Sequence, residues 1–374
     1  MSRAAPLALL AGCASNPTTA PSSEPAEPRC ADAPHAQRGP YAAGVTTLDV
    51  AGVPTEVWYP AAVSAAEGRP RATYDMRTWL PEAERAKIPD AAAPIQPMDA
   101  VRDLPLARGR RFRVVLFSHG LGGYRMQTSF LMTHLASWGF VVVAPEHVER
   151  GLAVVLGGDF SKIDTTKAPD QLRGALARMR TESTLPGGRF ENGLELDRIA
   201  VSGHSMGGAS ASALAGDPGI RVTVLLASPG YGDLPPEQPS LSLWGAADHV
   251  ATPGSLAQAF AKRPSPRRSI GIARAGHLAF TDLCAIGREK GGVLQIAADH
   301  GIPVTELVRR LGNDGCGVDS DGVPYLRPDR GWRVVRAYVT AKVRWALDGE
   351  PAEVGLDDRS TKCFGDDIST FLHE

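Results

Sequence analysis

The sequence predicts an α/β fold built on one doubly wound, mostly parallel sheet with helices on both faces. Two observations support this. Apolar runs of strand length alternate with segments of helical periodicity over most of the chain. A glycine-flanked serine, in residues 203–207 (Gly-His-Ser-Met-Gly), stands where one such strand meets a small-residue helix. The 374 residues, 43% of them hydrophobic and 22% charged, are enough for one large domain of this kind.

The predicted elements begin with an N-terminal hairpin in residues 45–59, where apolar alternation is broken by a Gly-Val-Pro turn. Continuous apolar runs typical of buried parallel strands occupy residues 112–117, 140–144, 197–202, 222–227, 240–244 and 269–273. Helical periodicity covers residues 126–138, 168–184, the segment after Ser205, and 334–347. Two stretches, about 60–111 and 281–329, fit neither pattern and are interpreted as insertions, with one helix expected near 76–87.

The N-terminus looks like an export signal rather than part of the fold. Arg3 precedes a short apolar run, and Leu-Ala-Gly-Cys at residues 10–13 resembles a bacterial lipobox, in which Cys13 becomes the lipidated first residue. Residues 14–37 are interpreted as a flexible tether, and residues 38–374 as a single domain. We therefore expect a protein that is exported and lipid-anchored to a bacterial membrane, on its periplasmic or cell-surface side. The alternative is an unstructured tail with an accidental cysteine.

The remaining cysteines agree with an oxidising compartment. Cys30, Cys284, Cys316 and Cys363 are even in number and allow two disulfides in three pairings. We favour Cys284–Cys316, which closes one inserted loop, and Cys30–Cys363, which joins the two ends of the chain. Four separate buried thiols are the alternative.

Charge and motifs exclude several function classes. The net charge of −1 argues against a nucleic-acid binder, which needs a basic face. The sequence has neither a His-Glu-x-x-His motif nor a phosphate-binding Gly-x-x-x-x-Gly-Lys loop, and its cysteines lack zinc spacings. We therefore expect no metal and no organic cofactor.

Ser205 is the candidate nucleophile. A serine between glycines on a strand–turn–helix bend is the nucleophile elbow of α/β-hydrolases, because the bend projects the hydroxyl above the sheet. Only small flanking residues let the strand and the helix pass so closely. In this fold the acid and then the histidine follow the serine along the chain.

His277 is the candidate base, since it directly follows a predicted strand and can swing over the carboxyl edge of the sheet. His249 is the residue next to Asp248, the candidate acid, and cannot easily reach both that acid and the serine. His300 lies in an insertion, so both histidines are poorer choices for the base. Asp248, in the turn after the strand at 240–244, is the candidate acid. Asp233 is the runner-up for that role.

The oxyanion hole is expected from two backbone N–H groups, those of Met206 and Leu121. The glycines around Leu121 free its backbone to aim inward. His119 and His204 are interpreted mainly as packing residues, although His119 could stand near the triad. Asp282, close behind His277, is interpreted as structural.

Several segments look like the platelet-activating-factor acetylhydrolase and dienelactone hydrolase branch of α/β-hydrolases. They are residues 38–48, 57–60, 116–125, 203–208 and 244–248. The opening is also similar to that of bacterial cutinase-like polyesterases. The resemblance covers about residues 39–347 and implies the α/β-hydrolase fold and a Ser-His-Asp triad. Dienelactone hydrolases look like cysteine-nucleophile enzymes, and Ser205 departs from that pattern.

The resulting expectation is a serine carboxylic ester hydrolase that acts on short-acyl or lipid esters through an acyl-enzyme. Its partners would be a small-molecule or lipid ester and, through the lipid anchor, a membrane. The alternatives are a polyester or cutin-like hydrolase, an acyltransferase, and a non-catalytic surface lipoprotein. The two insertions are expected to reach the catalytic edge, which disfavours a bulky polymer.

Overall fold

The computed structural model describes Met1 and residues 33–352 and 354–374. The predicted lipidation residue Cys13, the predicted disulfide partner Cys30 and most of the predicted tether lie outside the described residues. These expectations therefore stay predictions. None of the described helices combines the length and the apolar character that crossing a membrane requires.

In the part of the chain that the structure describes, ten strands form one sheet, which confirms the predicted fold class. The strands are β1 Ala42–Val50, β2 Val53–Ala61, β5 Val101–Arg102, β6 Phe112–Ser118, β7 Phe140–Pro145, β8 Leu194–His204, β9 Ile220–Leu226, β10 Ser240–Gly245, β11 Arg267–Ile272 and β12 Ile368–His373. Their order in the sheet is β12-β11-β10-β9-β8-β6-β7-β2-β1-β5. The six strands from β11 to β7 in this order are all parallel to their neighbours within that block, and β1 and β5 form a further parallel pair. A separate antiparallel pair joins β3 Thr73–Asp75 and β4 Ile95–Pro97.

The helices cover both faces of the sheet. The described helices are α1 Val63–Ala66, α2 Glu82–Arg85, α3 Ser129–Ser137, α4 Leu152–Leu156, α5 Ala168–Glu182, α6 Met206–Ser212, α7 Pro253–Ala261, α8 Val293–Asp299, α9 Glu306–Asn313, α10 Pro328–Asp348 and α11 Asp358–Lys362. Helices α3 and α10 share one buried apolar cluster with the sheet, and α5 and α6 share another on the opposite side. The sheet is therefore apolar on both faces, as its continuous apolar strands predict.

The first insertion differs from the prediction. The helix expected near residues 76–87 is replaced by a 3₁₀ turn at Met76–Trp79 and the four-residue helix α2. Pro81 separates them because proline disfavours helical geometry in the residue before it. The pair β3–β4 and the short strand β5, also in this insertion, were not predicted.

The second insertion holds α8 and α9 and is closed at its base by the predicted Cys284–Cys316 disulfide, whose Cα atoms are 5.0 Å apart. The other predicted partner, Cys363, is buried. The two insertions pack on each other through a small apolar cluster of their own: Leu80, Ile88, Ile296 and Ile302. They thus form one covering layer made from distant parts of the chain.

Candidate active site

The carboxyl ends of the parallel strands meet at one edge of the sheet, and the candidate residues follow them directly. Ser205 follows β8, Asp248 lies in the turn after β10, and His277 begins a 3₁₀ turn after β11. Leu121 lies in the loop after β6. The parallel topology alone therefore brings these four residues to one side of the molecule.

Ser205 sits in a strained elbow. Its backbone has φ 54° and ψ −125°, a left-handed conformation that non-glycine residues rarely adopt. A Cβ atom on Gly203 would overlap the carbonyl of Gly207, and one on Gly207 would overlap the carbonyl of Ser118. The glycines are therefore required for β8, α6 and β6 to approach each other beneath the serine.

His277 and Asp248 form a buried pair. The Nδ1–H of His277 donates to Asp248 Oδ2 over 2.9 Å, which leaves Nε2 as the acceptor nitrogen. The other oxygen, Asp248 Oδ1, accepts the backbone N–H groups of Val250 at 2.8 Å and Ala251 at 2.7 Å. The carboxylate is thus fixed in orientation by its own turn, which directs Oδ2 toward the imidazole.

His204 packs beside the elbow, as expected, and also contacts the candidate base. Its Nε2–H donates to the carbonyl of His277 over 3.0 Å, and Gln127 Nε2 lies 3.1 Å from its Nδ1. Burial lowers the pKa of His204 to about 3, so the ring is neutral and carries one N–H. With that N–H on Nε2, Gln127 donates to Nδ1.

Leu121 and Met206, the expected oxyanion donors, flank the serine. A Cβ atom on Gly120 would lie 3.0 Å from Ser205 Cβ, so the loop of Leu121 passes directly beside the nucleophile. Among the described residues, neither the Leu121 nor the Met206 N–H donates to a protein acceptor outside helices and strands. Both amides therefore stay candidates for the oxyanion hole.

Arg150, which the sequence reasoning missed, ties the loop to the elbow from below. This arginine is fully buried, and its guanidinium donates to Ser210 Oγ at 3.0 Å, Ser118 Oγ at 2.8 Å and the carbonyl of His119 at 2.6 Å. Burial lowers its pKa to about 10, so it stays charged at neutral pH. No sequence motif marks such a residue, because its partners are distant in the chain.

His119 packs under the loop, as the main interpretation expected. Its Nδ1–H donates to the carbonyl of Gly120 over 2.9 Å, and its Nε2 accepts the N–H of His147 over 2.9 Å. Its Nε2 also lies 3.3 Å from Glu146 Oε1, so both ring nitrogens have partners within the protein. The ring holds the shape of the loop and has no free nitrogen to offer a substrate.

The residues considered as alternatives for the acid and the base are not part of the buried His277–Asp248 pair. Asp233 and His249 are exposed, and His300 donates within its own helix end to Ile296. Asp282 is fully buried and accepts the N–H groups of Ser129 and Phe130 at the start of α3, a structural role as expected. Burial raises its pKa to about 6.

An apolar cleft opens beside the site. It offers about 930 Å³ of space, its open mouth included, and only apolar side chains and glycines line it. Leu121 and Leu278 contribute from the site itself, helix α4 contributes one wall, and both insertions supply the rest. The insertions thus reach the catalytic edge. No group of three or more metal-ligating side chains occurs among the described residues.

The structure matches that of a ferulic acid esterase from Streptomyces cinnamoneus over 90% of this chain and 97% of that one, with a TM-score of 0.63 and 22% identity. This chain has the α/β-hydrolase fold. The sequence model of the chlorophyllase family matches residues 83–225, which include the Leu121 loop and the Ser205 elbow.

Two curated relatives are platelet-activating factor acetylhydrolases. The protein from Cavia porcellus is 43% identical over 49 residues, 13% of this chain and 11% of its own. The protein from Canis lupus familiaris is 27% identical over 160 residues, 33% of this chain and 36% of its own. The chain therefore spans about a third or less of the length of these two relatives.

Proposed function

We propose that this α/β-hydrolase is a serine carboxylic ester hydrolase in which Ser205, His277 and Asp248 act as a triad. The observation that carries the proposal is the 2.9 Å hydrogen bond between His277 and Asp248, at the same sheet edge as the strained serine. The similarity to acetylhydrolases and to a ferulic acid esterase supports ester hydrolysis as the reaction class.

In the proposed mechanism, Ser205 Oγ attacks the ester carbonyl while its proton passes to His277 Nε2. The N–H groups of Leu121 and Met206 stabilise the oxyanion that forms. Collapse of the tetrahedral intermediate breaks the ester C–O bond, and the departing alcohol takes the proton from His277. Water then attacks the acyl-enzyme with His277 as base, which releases the acid and restores the serine.

The chemistry of the cleft supports an ester with an apolar chain. A cleft lined only by apolar side chains and glycines favours alkyl groups and disfavours charged ones, because a charge would lose its hydration without gaining a partner. We therefore propose short-acyl or lipid esters as substrates. The covering layer formed by the two insertions argues against a bulky polymer.

The test compares the wild-type protein with Ser205→Ala on p-nitrophenyl acetate and butyrate. We expect kcat/KM to fall about 10⁴-fold or more while the thermal unfolding midpoint changes little, because only the nucleophilic oxygen is removed. A fluorophosphonate probe should label the wild type and not the variant. Equal esterase activity in both proteins would refute the proposal, and a wild type that neither reacts nor is labelled would favour a non-catalytic protein.

A further inference from the structure

Asp314 is a buried carboxylate from the second insertion that contacts both loops of the candidate triad. It follows α9 directly, and it is 5% exposed. Its Oδ1 accepts the backbone N–H of His277 over 2.7 Å, and its Oδ2 accepts the backbone N–H of His249 over 3.0 Å. His249 is the residue immediately after Asp248.

We propose that Asp314 is a positioning residue, which sets the distance between the triad acid and the triad base. The inference rests on the proposed function. The acid and the base lie in separate loops after neighbouring strands, and the backbone hydrogen bond from Ala247 to Ala275, 2.9 Å long, is a direct link between these loops. Asp314 adds a second link closer to the triad, because its carboxylate binds the N–H of His277 itself and the N–H of the residue after Asp248.

Both backbone polar groups of His277 are hydrogen-bonded. Asp314 takes its N–H, and His204 donates to its carbonyl. The N–H of the next residue, Leu278, donates to the carbonyl of Asp314 over 2.8 Å. With its backbone fixed in this way, the imidazole can change its position only by rotation of its side chain.

The carboxylate is itself held in place by the base of the insertion. Gly315 has φ 107°, which favours glycine, and a Cβ atom on Gly276 would overlap the Gly315 N atom. Cys316 follows and forms the disulfide with Cys284. The same segment therefore closes the covering layer and supports the triad.

Among the described residues Asp314 makes no ion pair with lysine or arginine, and the exposed side chain of His249 lies 3.4 Å from its Oδ2. Each of its two carboxylate oxygens instead accepts a backbone N–H from one of the two loops. This arrangement argues against a role limited to neutralising a buried cation. Asp314 differs in this respect from Asp282, which accepts two backbone N–H groups of a helix that carries no triad residue.

The experiment compares Asp314→Asn with the matched control Asp282→Asn. In each variant one oxygen that accepts a backbone N–H is replaced by an NH₂ group. We expect Asp314→Asn to lower kcat on p-nitrophenyl butyrate about 10- to 100-fold, with KM within about twofold, because a small misplacement of catalytic groups is costly. The control should lose thermal stability to a similar degree and keep kcat within about twofold.

A second measurement does not depend on turnover. The proton in the His277–Asp248 hydrogen bond should give a far-downfield NMR signal that shifts or disappears in Asp314→Asn and persists in Asp282→Asn. The inference is overturned if the signal and kcat of Asp314→Asn match those of the control. Failure of the proposed function would look different, because the wild type would then hydrolyse no ester and bind no fluorophosphonate, while the NMR comparison would still report on the positioning.

Discussion

The catalytic edge of the sheet and the two insertions beside it are built in different ways. At the edge, each candidate residue follows a parallel strand closely, so its position depends on a buried, regular framework. The insertions contain short helices, a three-residue strand pair and a disulfide, and they share a small apolar cluster. In the proposed function, the residues at the edge break the ester bond, and the insertions determine which acyl or alkyl chain can lie beside that bond.

The largest effect is expected from a substitution of the candidate acid at this edge of the sheet. In Asp248→Asn the amide can present an N–H to His277 Nδ1, which would place the imidazole proton on the wrong nitrogen. We expect kcat to fall about 10³- to 10⁴-fold with little change in KM. Steady-state kinetics on p-nitrophenyl acetate provides the measurement.

Asp233→Asn is the matched control for this prediction. Asp233 follows the neighbouring strand β9 and was the other acid that the sequence allowed, but it is exposed. Its substitution should leave kcat within about twofold of the wild type. The reverse result, a large loss in Asp233→Asn and none in Asp248→Asn, would reassign the acid.

The edge could be predicted from the sequence because its signals are local. Each buried parallel strand is a continuous apolar run, and the glycines around Ser205 encode a bend that other residues cannot make. The start of α3 was placed three residues early, at 126 rather than 129. Residues 126–128 form turns there, and one of them, Gln127, supports His204.

The insertions and the supports of the triad could not be predicted because they depend on distant contacts. Residues 76–87 have helical composition, but Pro81 and the packing of Leu80 and Ile88 on the second insertion divide them. Strand β12 exists because it pairs with β11, some hundred residues earlier. Asp314 carries no motif at all, since its role depends on which two loops it meets.

A smaller effect on kcat/KM is expected from filling the cleft. It would test whether the insertions, rather than the edge of the sheet, determine the preferred chain length. Val308, on α9, lines the cleft, and Val308→Trp would occupy space that an acyl chain needs. We expect kcat/KM on p-nitrophenyl hexanoate to fall about 10-fold or more, with acetate within about twofold, because a pocket discriminates chains by the volume it offers.

Leu307→Trp is the control for this variant, since Leu307 is the neighbouring residue of the same helix and is exposed. It introduces the same side chain outside the cleft and should leave the chain-length profile unchanged. An equal loss on acetate and hexanoate in Val308→Trp would mean that the cleft does not hold the acyl chain. A thermal unfolding scan of both variants separates lost fit from lost stability.

The smallest expected effect on activity concerns a buried lysine in a helix beneath the sheet. Lys342 of α10 is fully buried, and its Nζ atom has no hydrogen-bond partner among the described residues. Burial, and to a lesser degree repulsion by Arg268, lowers its pKa to about 7, while the face of the Trp345 ring, 4.3 Å from Nζ, stabilises the ammonium form. The unfolded chain keeps an ordinary lysine pKa of about 10.4.

Between these two pKa values the unfolded state binds more protons than the folded state, so this group makes the free energy of unfolding rise with pH, by up to about 1.4 kcal/mol per pH unit. Its contribution is fully present above about pH 10.4 and is lost as the pH falls through 7.

Lys342→Met should remove that slope and stabilise the protein most at pH 7 and below, with kcat unchanged. Urea unfolding from pH 6 to 10 measures both effects, and Lys262→Met, at an exposed position after α7, should keep the wild-type slope. An unchanged slope in Lys342→Met would mean that the lysine is charged at every pH at which the protein is folded, with Trp345 offsetting its burial.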